Sequence, residues 1–351
     1  MRPIVWMSEP LSRALRERLS TETTVVSSTK EFLDAPRDAR TVSFLDGTTL
    51  EQLDELAVKY GQQPVPPPEW RKLVAAVSLG PVIVIFDEPL QTAIDWLQPH
   101  PWMSHALNAS MLAHPMATDH LAQIVQAASS GAALRLVDLL GTDVTARRIR
   151  IAHASKRRER LERMGEFFSQ KGVSAETVQQ MREVADELLT NVFYNAPVAA
   201  GAVKKPIPRD QDVSLPEDSA CDLIYGCRDD LVFVRVRDPF GSLTRARLVE
   251  VLSRCARADN PEIDSSMGGS GLGLWRVVSS ASVMSILVHN NHHTEVLVGI
   301  VRRPGPGPRP FAFHLFIKDG AKRRSWSSVD QDSDVMSGPT FNTSVAITLK
   351  D

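Results

Sequence analysis

Short apolar runs open the chain. "PIVWM" at 3–7, "TTVVSS" at 23–28, "TVSFL" at 41–45 and "VIVIF" at 82–86 have the length and β-branched content of buried strands. "LSRALRERL" and "LEQLDELAVKY" lie between them with helical spacing of their leucines. This alternation predicts a small doubly wound parallel sheet over 1–100. Residues 101–144, with "HALNASMLAHPMATDHLAQIVQAASSGAALRLVDLL", read as a connector of helices broken at Pro and Ser/Gly. Beyond it, Met181, Val184, Ala185, Leu188 and Leu189 form the apolar stripe of an amphipathic helix. "CDLIYGC" and "LVFVRVR" predict a hairpin turning at "RDD", "LGLWRVVSSASVMSI" an amphipathic helix, and "FAFHLFI" a strand completing a sheet. The stretch 319–351 is polar at first, with "FNTSVAITL" at 341–349 as a candidate edge strand.

Three segments carry candidate chemistry. Glu187 and Asn191 are four apart, so they share one helical face, opposite the apolar stripe. An acid and an amide so placed suit a base and a neutral oxygen ligand for Mg²⁺; alone, they also suit a solvated surface. Asp238 ends the strand whose Val232, Val234 and Val236 share a face, where a carboxylate can accept the amino group of adenine. Its alternative reading is a turn acid before Pro239. Glycines at 268, 269, 271 and 273 lead into a helix, an arrangement that lets backbone N–H groups approach a phosphate. Their place late in the chain argues against a Rossmann fingerprint.

In that order, "ADELLTNVFYNAP", "VRDPFGS" and "GGSGLGLWRVV" resemble the pocket motifs of the GHKL ATPases, over roughly 145–318. Within that family "RLERMGEFFSQKGVSAETVQQMREVADELLTNVFYNAP" is most similar to the anti-sigma-factor serine kinases. The resemblance implies a GHKL α/β sandwich, a mixed sheet plus helices, with ATP and Mg²⁺ between them. It makes Glu187 the base, Asn191 the metal ligand and Asp238 the adenine reader, with Asn195, Gly241, Gly269, Gly271, Leu272 and Gly273 completing the nucleotide site. The chain departs from the family at Pro239, Asn195 and Ser270, which bears on phosphoryl transfer more than on nucleotide binding.

The first hundred residues resemble a response-regulator receiver, with Asp46 at the phosphoacceptor position. Glu9 stands without a second acid and "FDEP" replaces the usual lysine, so a degenerate, docking receiver is expected. His105, His114, His120 and His153 are nominal phosphoacceptors, but none has the flanking residues of a histidine-kinase site.

At 351 residues and 43% hydrophobic content the chain has room for two or three packed domains. Its net charge of −2 gives no general attraction to nucleic acid or anionic lipid. The basic block 147–163, expected on a helix, suits a solvated face or an acidic protein partner. Three cysteines without metal spacing and no secretory or spanning segment lead to an expectation of a cytoplasmic protein. The expected function is that of a signalling protein that binds Mg-ATP and phosphorylates or switches a protein partner, on Ser or Thr in preference to His. The alternative is a non-catalytic module ordered by ATP. A homodimer is compatible with either.

Overall fold

A computed structural model describes residues 2–60, 67–130, 144–228, 230–257, 272–303, 307–318 and 348–350. The first part of the chain alternates strands and helices: β1 (Ile4–Trp6), α1 (Glu9–Arg18), β2 (Thr24–Val25), α2 (Thr29–Asp34), β3 (Ser43–Asp46), α3 (Gly47–Tyr60), α4 (Pro68–Leu79), β4 (Val82–Phe86), α5 (Leu90–Asp95), β5 (His105–Asn108), α6 (Ala109–Ala113) and α7 (Ala117–Ser130). The second part runs β6 (Thr145–Ile151), α8 (Arg157–Gln170), α9 (Ala175–Thr190), α10 (Ala196–Ala199), β7 (Asp212–Ser214), β8 (Cys221–Arg228), β9 (Leu231–Asp238), α11 (Arg245–Arg257), α12 (Leu272–Ser280), β10 (Val283–His289), β11 (His293–Val301) and β12 (Ala312–Lys318). A last strand, β13 (Thr348–Lys350), pairs with β7 in a separate small sheet and not with a strand of the large one.

The fold is α/β around one mixed sheet of 11 strands in the order β2-β1-β3-β4-β5-β12-β10-β11-β9-β8-β6. The first five are parallel and ordered 2-1-3-4-5, a doubly wound arrangement. From β10 through β11, β9 and β8 to β6 every pairing is antiparallel. The seam between the two parts is the antiparallel pair β5–β12, in which His314 stands opposite His105.

Both sheet faces are covered, which is why the central strands are apolar on both sides. One core joins Phe32, Leu50, Val84 and Ile94 to Met181, Leu189, Val234 and Leu252. The other places Leu121 and Ile124 of α7, with Leu15 of α1, among Phe44, Phe233, Leu287 and Leu297. Helix α7, expected within a connector, therefore roofs the back of the sheet, and the same 101–144 stretch contributes strand β5.

Two further expectations change. The basic block is a strand followed by a helix: period-two alternation places Ile149 and Ile151 toward α8 and pairs 145–151 with β8. Most of its cations are matched within the chain, including Arg148 with Asp222, Arg157 with Asp186 and Arg163 with Glu159. "LGLWRVVSSASVMSI" is helical only to Ser280; "VMSI" begins β10, a strand buried on both faces whose composition does not alternate. Among the described residues no helix is long and apolar enough to cross a membrane.

Candidate functional site

Helix α9 starts where Ser174 caps it, its hydroxyl accepting from the Thr177 N–H at 3.2 Å. Its buried stripe is the expected one with Val178 added. Its opposite face carries Glu187 into a cavity of about 800 Å³, of a size usual for small-molecule sites. The walls are α9, α10, α11 and α12, and the floor is the sheet at Val236, Ile286 and Val296.

After Thr190 the helix widens into a π turn, Asn191–Asn195, closed by the Ala196 N–H donating to the Asn191 carbonyl. Pro197 explains it: proline offers no N–H to the Phe193 carbonyl and its ring would collide there, so the chain admits one extra residue per turn. The turn leaves Asn191 and Asn195 both lining the cavity, with the Asn195 amide donating to Asn191 Oδ1 at 2.6 Å. That bond orients Asn191 and occupies one of two lone pairs on its oxygen, leaving one for a cation.

Burial pushes the Glu187 carboxyl above the ordinary carboxylate range; Arg209 opposes the shift, Asp186 adds to it, and Arg276 and Arg157 oppose it. Gly273, in the first turn of α12, lies directly against this carboxylate. A Cβ there would stand 1.8 Å from the Glu187 carboxyl carbon and 2.0 and 2.2 Å from its oxygens. Gly273 thus lets the α12 backbone approach an acid closely, at a helix end whose free N–H groups favour negative charge, and a side chain there would displace the carboxylate.

Asp238 also lines the cavity. Its Oδ1 accepts from the N–H groups of Phe240 at 2.7 Å and Gly241 at 3.2 Å, so it holds the turn as the alternative reading required. Burial raises its carboxyl, against those two hydrogen bonds and against Thr294. Thr294, buried and paired with Asp238 in the β9–β11 register, faces the same space.

Gly241 does not line the cavity. Its φ of +60° and the approach of His289 O, 2.2 Å from where a Cβ would be, show a glycine needed for packing on the β10–β11 hairpin. Gly269 and Gly271 lie outside the described residues, as does the side chain of Leu272.

Several lining residues were not found from the sequence: Thr294, Arg209, Arg276 and Arg247. Arg209 and Arg276 place positive charge beside Glu187, whereas the Arg247 guanidinium pairs with Glu250; none is near another in a recognisable motif, and only the fold collects them. Among the described residues no group of His, Cys, Asp and Glu is arranged to hold a metal ion. The residues present would offer Mg²⁺ the neutral Asn191 oxygen, with waters and phosphate oxygens to supply the rest of its coordination.

Asp46 is 1% exposed, with Oδ2 accepting from the Ser8 N–H at 2.6 Å and Oδ1 from the Thr49 N–H and hydroxyl at 3.0 and 2.8 Å. Beside it, Gly47 is covered by Glu88 and Trp96. Glu9 is turned to the surface, where it pairs with Arg16 at 3.3 Å. Acetyl phosphate is therefore expected to leave Asp46 unmodified, checked by mass spectrometry after incubation; a phosphate adduct lost in Asp46→Asn would refute this.

Of the nominal phosphoacceptor histidines, His105 and His120 are buried core groups. His153 is exposed and bonds Ser214 Oγ through Nδ1 at 2.8 Å. Cys221, Cys227 and Cys255 are free thiols, each raised chiefly by burial and so kept protonated. No protein-family model matches this chain, and no curated protein matches it either.

Proposed function

We propose that the cavity binds Mg-ATP and that the protein is a signalling ATPase or kinase acting on a protein partner. The observation that carries this reading is convergence: Glu187, Asn191, Asp238 and Gly273, singled out from separate segments, line one cavity together with Arg209 and Arg276. In this reading Asp238 accepts the adenine amino group and Arg209 and Arg276 face the phosphates. Asn191, oriented by Asn195, would hold Mg²⁺, which would offset the charge of the phosphates. Glu187, its proton affinity raised by burial, removes the proton from a partner's Ser or Thr hydroxyl or from water. A reducing, cytoplasmic setting fits its three unpaired thiols.

A second reading, an ATP-ordered binding module without turnover, is favoured by one contact. The Glu187 carboxylate is already packed against the start of α12, so it can serve as a latch between α9 and α12. Both readings require nucleotide binding.

Calorimetry tests that requirement. The full chain is expected to bind Mg-ATP in preference to Mg-GTP, and Asp238→Asn to weaken Mg-ATP binding by about 10–100-fold, the scale of one hydrogen bond to a charged group. Asparagine keeps an oxygen for the Phe240 and Gly241 N–H groups, so the thermal midpoint should move little. A folded Asp238→Asn variant with wild-type affinity would remove the adenine-reading role, and a wild-type chain that binds no nucleotide would remove the reading itself.

A further inference from the structure

Every residue lining the cavity belongs to the second part of the chain, but two of the helices that carry them are braced by the first. Helix α11 turns Arg247, Leu248 and Val251 toward it, and packs its other side on α5 of the N-terminal part. Arg245, in the first turn of α11, is half-buried at that contact. Its Nη2 donates to the carbonyls of Leu97, His100 and Met103 at 2.7, 2.9 and 3.1 Å. The last residue of α11 is tied to the same stretch, Arg257 donating from Nε to Asp95 Oδ1 and from Nη2 to Gln98 Oε1, both at 2.9 Å.

Helix α12, which carries Gly273 and Arg276, is held from the same side. Arg309 caps its end, donating to the carbonyls of Ser280 at 2.9 Å and of Ser279. The strand entry that carries Arg309 is clamped by Asn108 of β5. Its Nδ2 donates to the Arg309 carbonyl at 2.8 Å and its Oδ1 accepts from the Phe311 N–H at 2.9 Å. Residues 95–108 therefore fix both helices that flank Glu187 opposite α9.

We infer that Arg245 is a positioning residue through which the N-terminal sheet sets the geometry of the nucleotide cavity, so that nucleotide occupancy and the conformation of 95–103 are coupled. The inference rests on the nucleotide reading for its ligand, while the brace itself stands on the hydrogen bonds above. Leu97, His100 and Met103 lie outside any helix or strand; the His100 carbonyl also accepts from the Met103 N–H at 3.0 Å, and one guanidinium gathers all three carbonyls. A shift of 95–103 must carry Arg245, and with it the α11 wall, or break its hydrogen bonds and leave the Leu97 and Met103 carbonyls without that donor. By linkage, a ligand that favours one placement of α11 must favour the matching placement of 95–103.

The experiment uses the full chain, with Arg245→Gln, Arg245→Lys and, on the other helix, Asn108→Ser. Hydrogen exchange without nucleotide is expected to rise in α11 and α12 of Arg245→Gln while β1, β3 and β4 stay protected. Mg-ATP affinity should fall roughly 5–150-fold, the usual range of a coupling between sites, with partial recovery in Arg245→Lys. Mg-ATP should slow exchange at 95–103 in the wild type and not in Arg245→Gln. Unchanged exchange and affinity in a folded Arg245→Gln would overturn the inference. So would a uniform loss of stability with wild-type affinity, the mark of simple interface packing. If Arg245→Gln does not fold, Asn108→Ser is read in the same way through α12. If the wild type binds no Mg-ATP, the nucleotide reading fails, and exchange in α11 and α12 still decides whether the brace exists.

Discussion

Glu187→Gln is expected to lower turnover by about 10²–10⁴-fold, the usual contribution of a general base, while leaving Mg-ATP affinity within a few-fold. Glutamine preserves the size of the side chain against Gly273, where there is no room for a Cβ. It cannot take a proton. The loss should therefore fall on kcat, read by single-turnover phosphoryl transfer or ATP hydrolysis, with binding followed separately by calorimetry. Because burial raises the Glu187 carboxyl, activity should rise with pH through a midpoint above the ordinary carboxylate range, and that limb should vanish in the variant. Equal measurable turnover in wild type and variant would remove Glu187 as the base; no turnover in either with nucleotide bound would move the protein to the ATP-ordered module and leave Glu187 as a latch.

A comparably large effect is expected on stability in acid. His105, His120 and His314 meet at the β5–β12 seam under α7, all buried, with His120 Nε2 2.9 Å from His314 Nε2. The Nδ1 atoms of His105 and His314 have no hydrogen-bond partner among the described residues. Burial pushes His105 and His120 down to about 4 and holds His314 well below its ordinary value. Arg228 also disfavours the charged form of His120, while pairing with Asp119 on α7 at 2.9 Å.

The sign follows from neutral imidazoles in the fold and an unfolded value near 6.5. Protons bind the unfolded chain first, so stability is intact above about pH 6.5 and is lost as pH falls toward 4. At pH 5 the loss is about 2 kcal/mol for each histidine near 4, on the scale of 1.4 kcal/mol per pKa unit. Urea unfolding at pH 7 and pH 5 should show it as a lower midpoint. Surface carboxylates contribute to acid sensitivity in any variant, so the comparison is with His120→Leu/His314→Leu, whose midpoint should fall less between the two pH values. An equal fall in both proteins would mean that the seam is not the source.

The sequence by itself determined the local elements and the chemistry they carry. A stripe of apolar residues and a capping serine specify α9, and the same periodicity puts Glu187 and Asn191 on its free face. Alternation specifies the β8–β9 hairpin and sends Asp238 to its end on the Val232–Val234–Val236 side. Four apolar runs with helices between them specify most of the N-terminal sheet, and Asp46 appears at the end of its third strand. These are short-range consequences of residue spacing, and they survive whatever the rest of the chain does.

Only the tertiary structure decided how those elements combine. That two apparent units share one sheet depends on β5 pairing with β12 across some two hundred residues, a partnership with no local signature. Strands such as β10 are buried on both faces and lose the alternation by which a strand is recognised. The arginines at 147, 148 and 150 looked helical beside a basic helix, until pairing with β8 made them an edge strand. Thr294 meets Asp238 through register, Arg209 and Arg276 meet Glu187 through packing, and Arg245 finds its carbonyls in another part of the fold. Each contact joins residues far apart in the chain, and its free energy exists only once the sheet and its helical layers have brought them together.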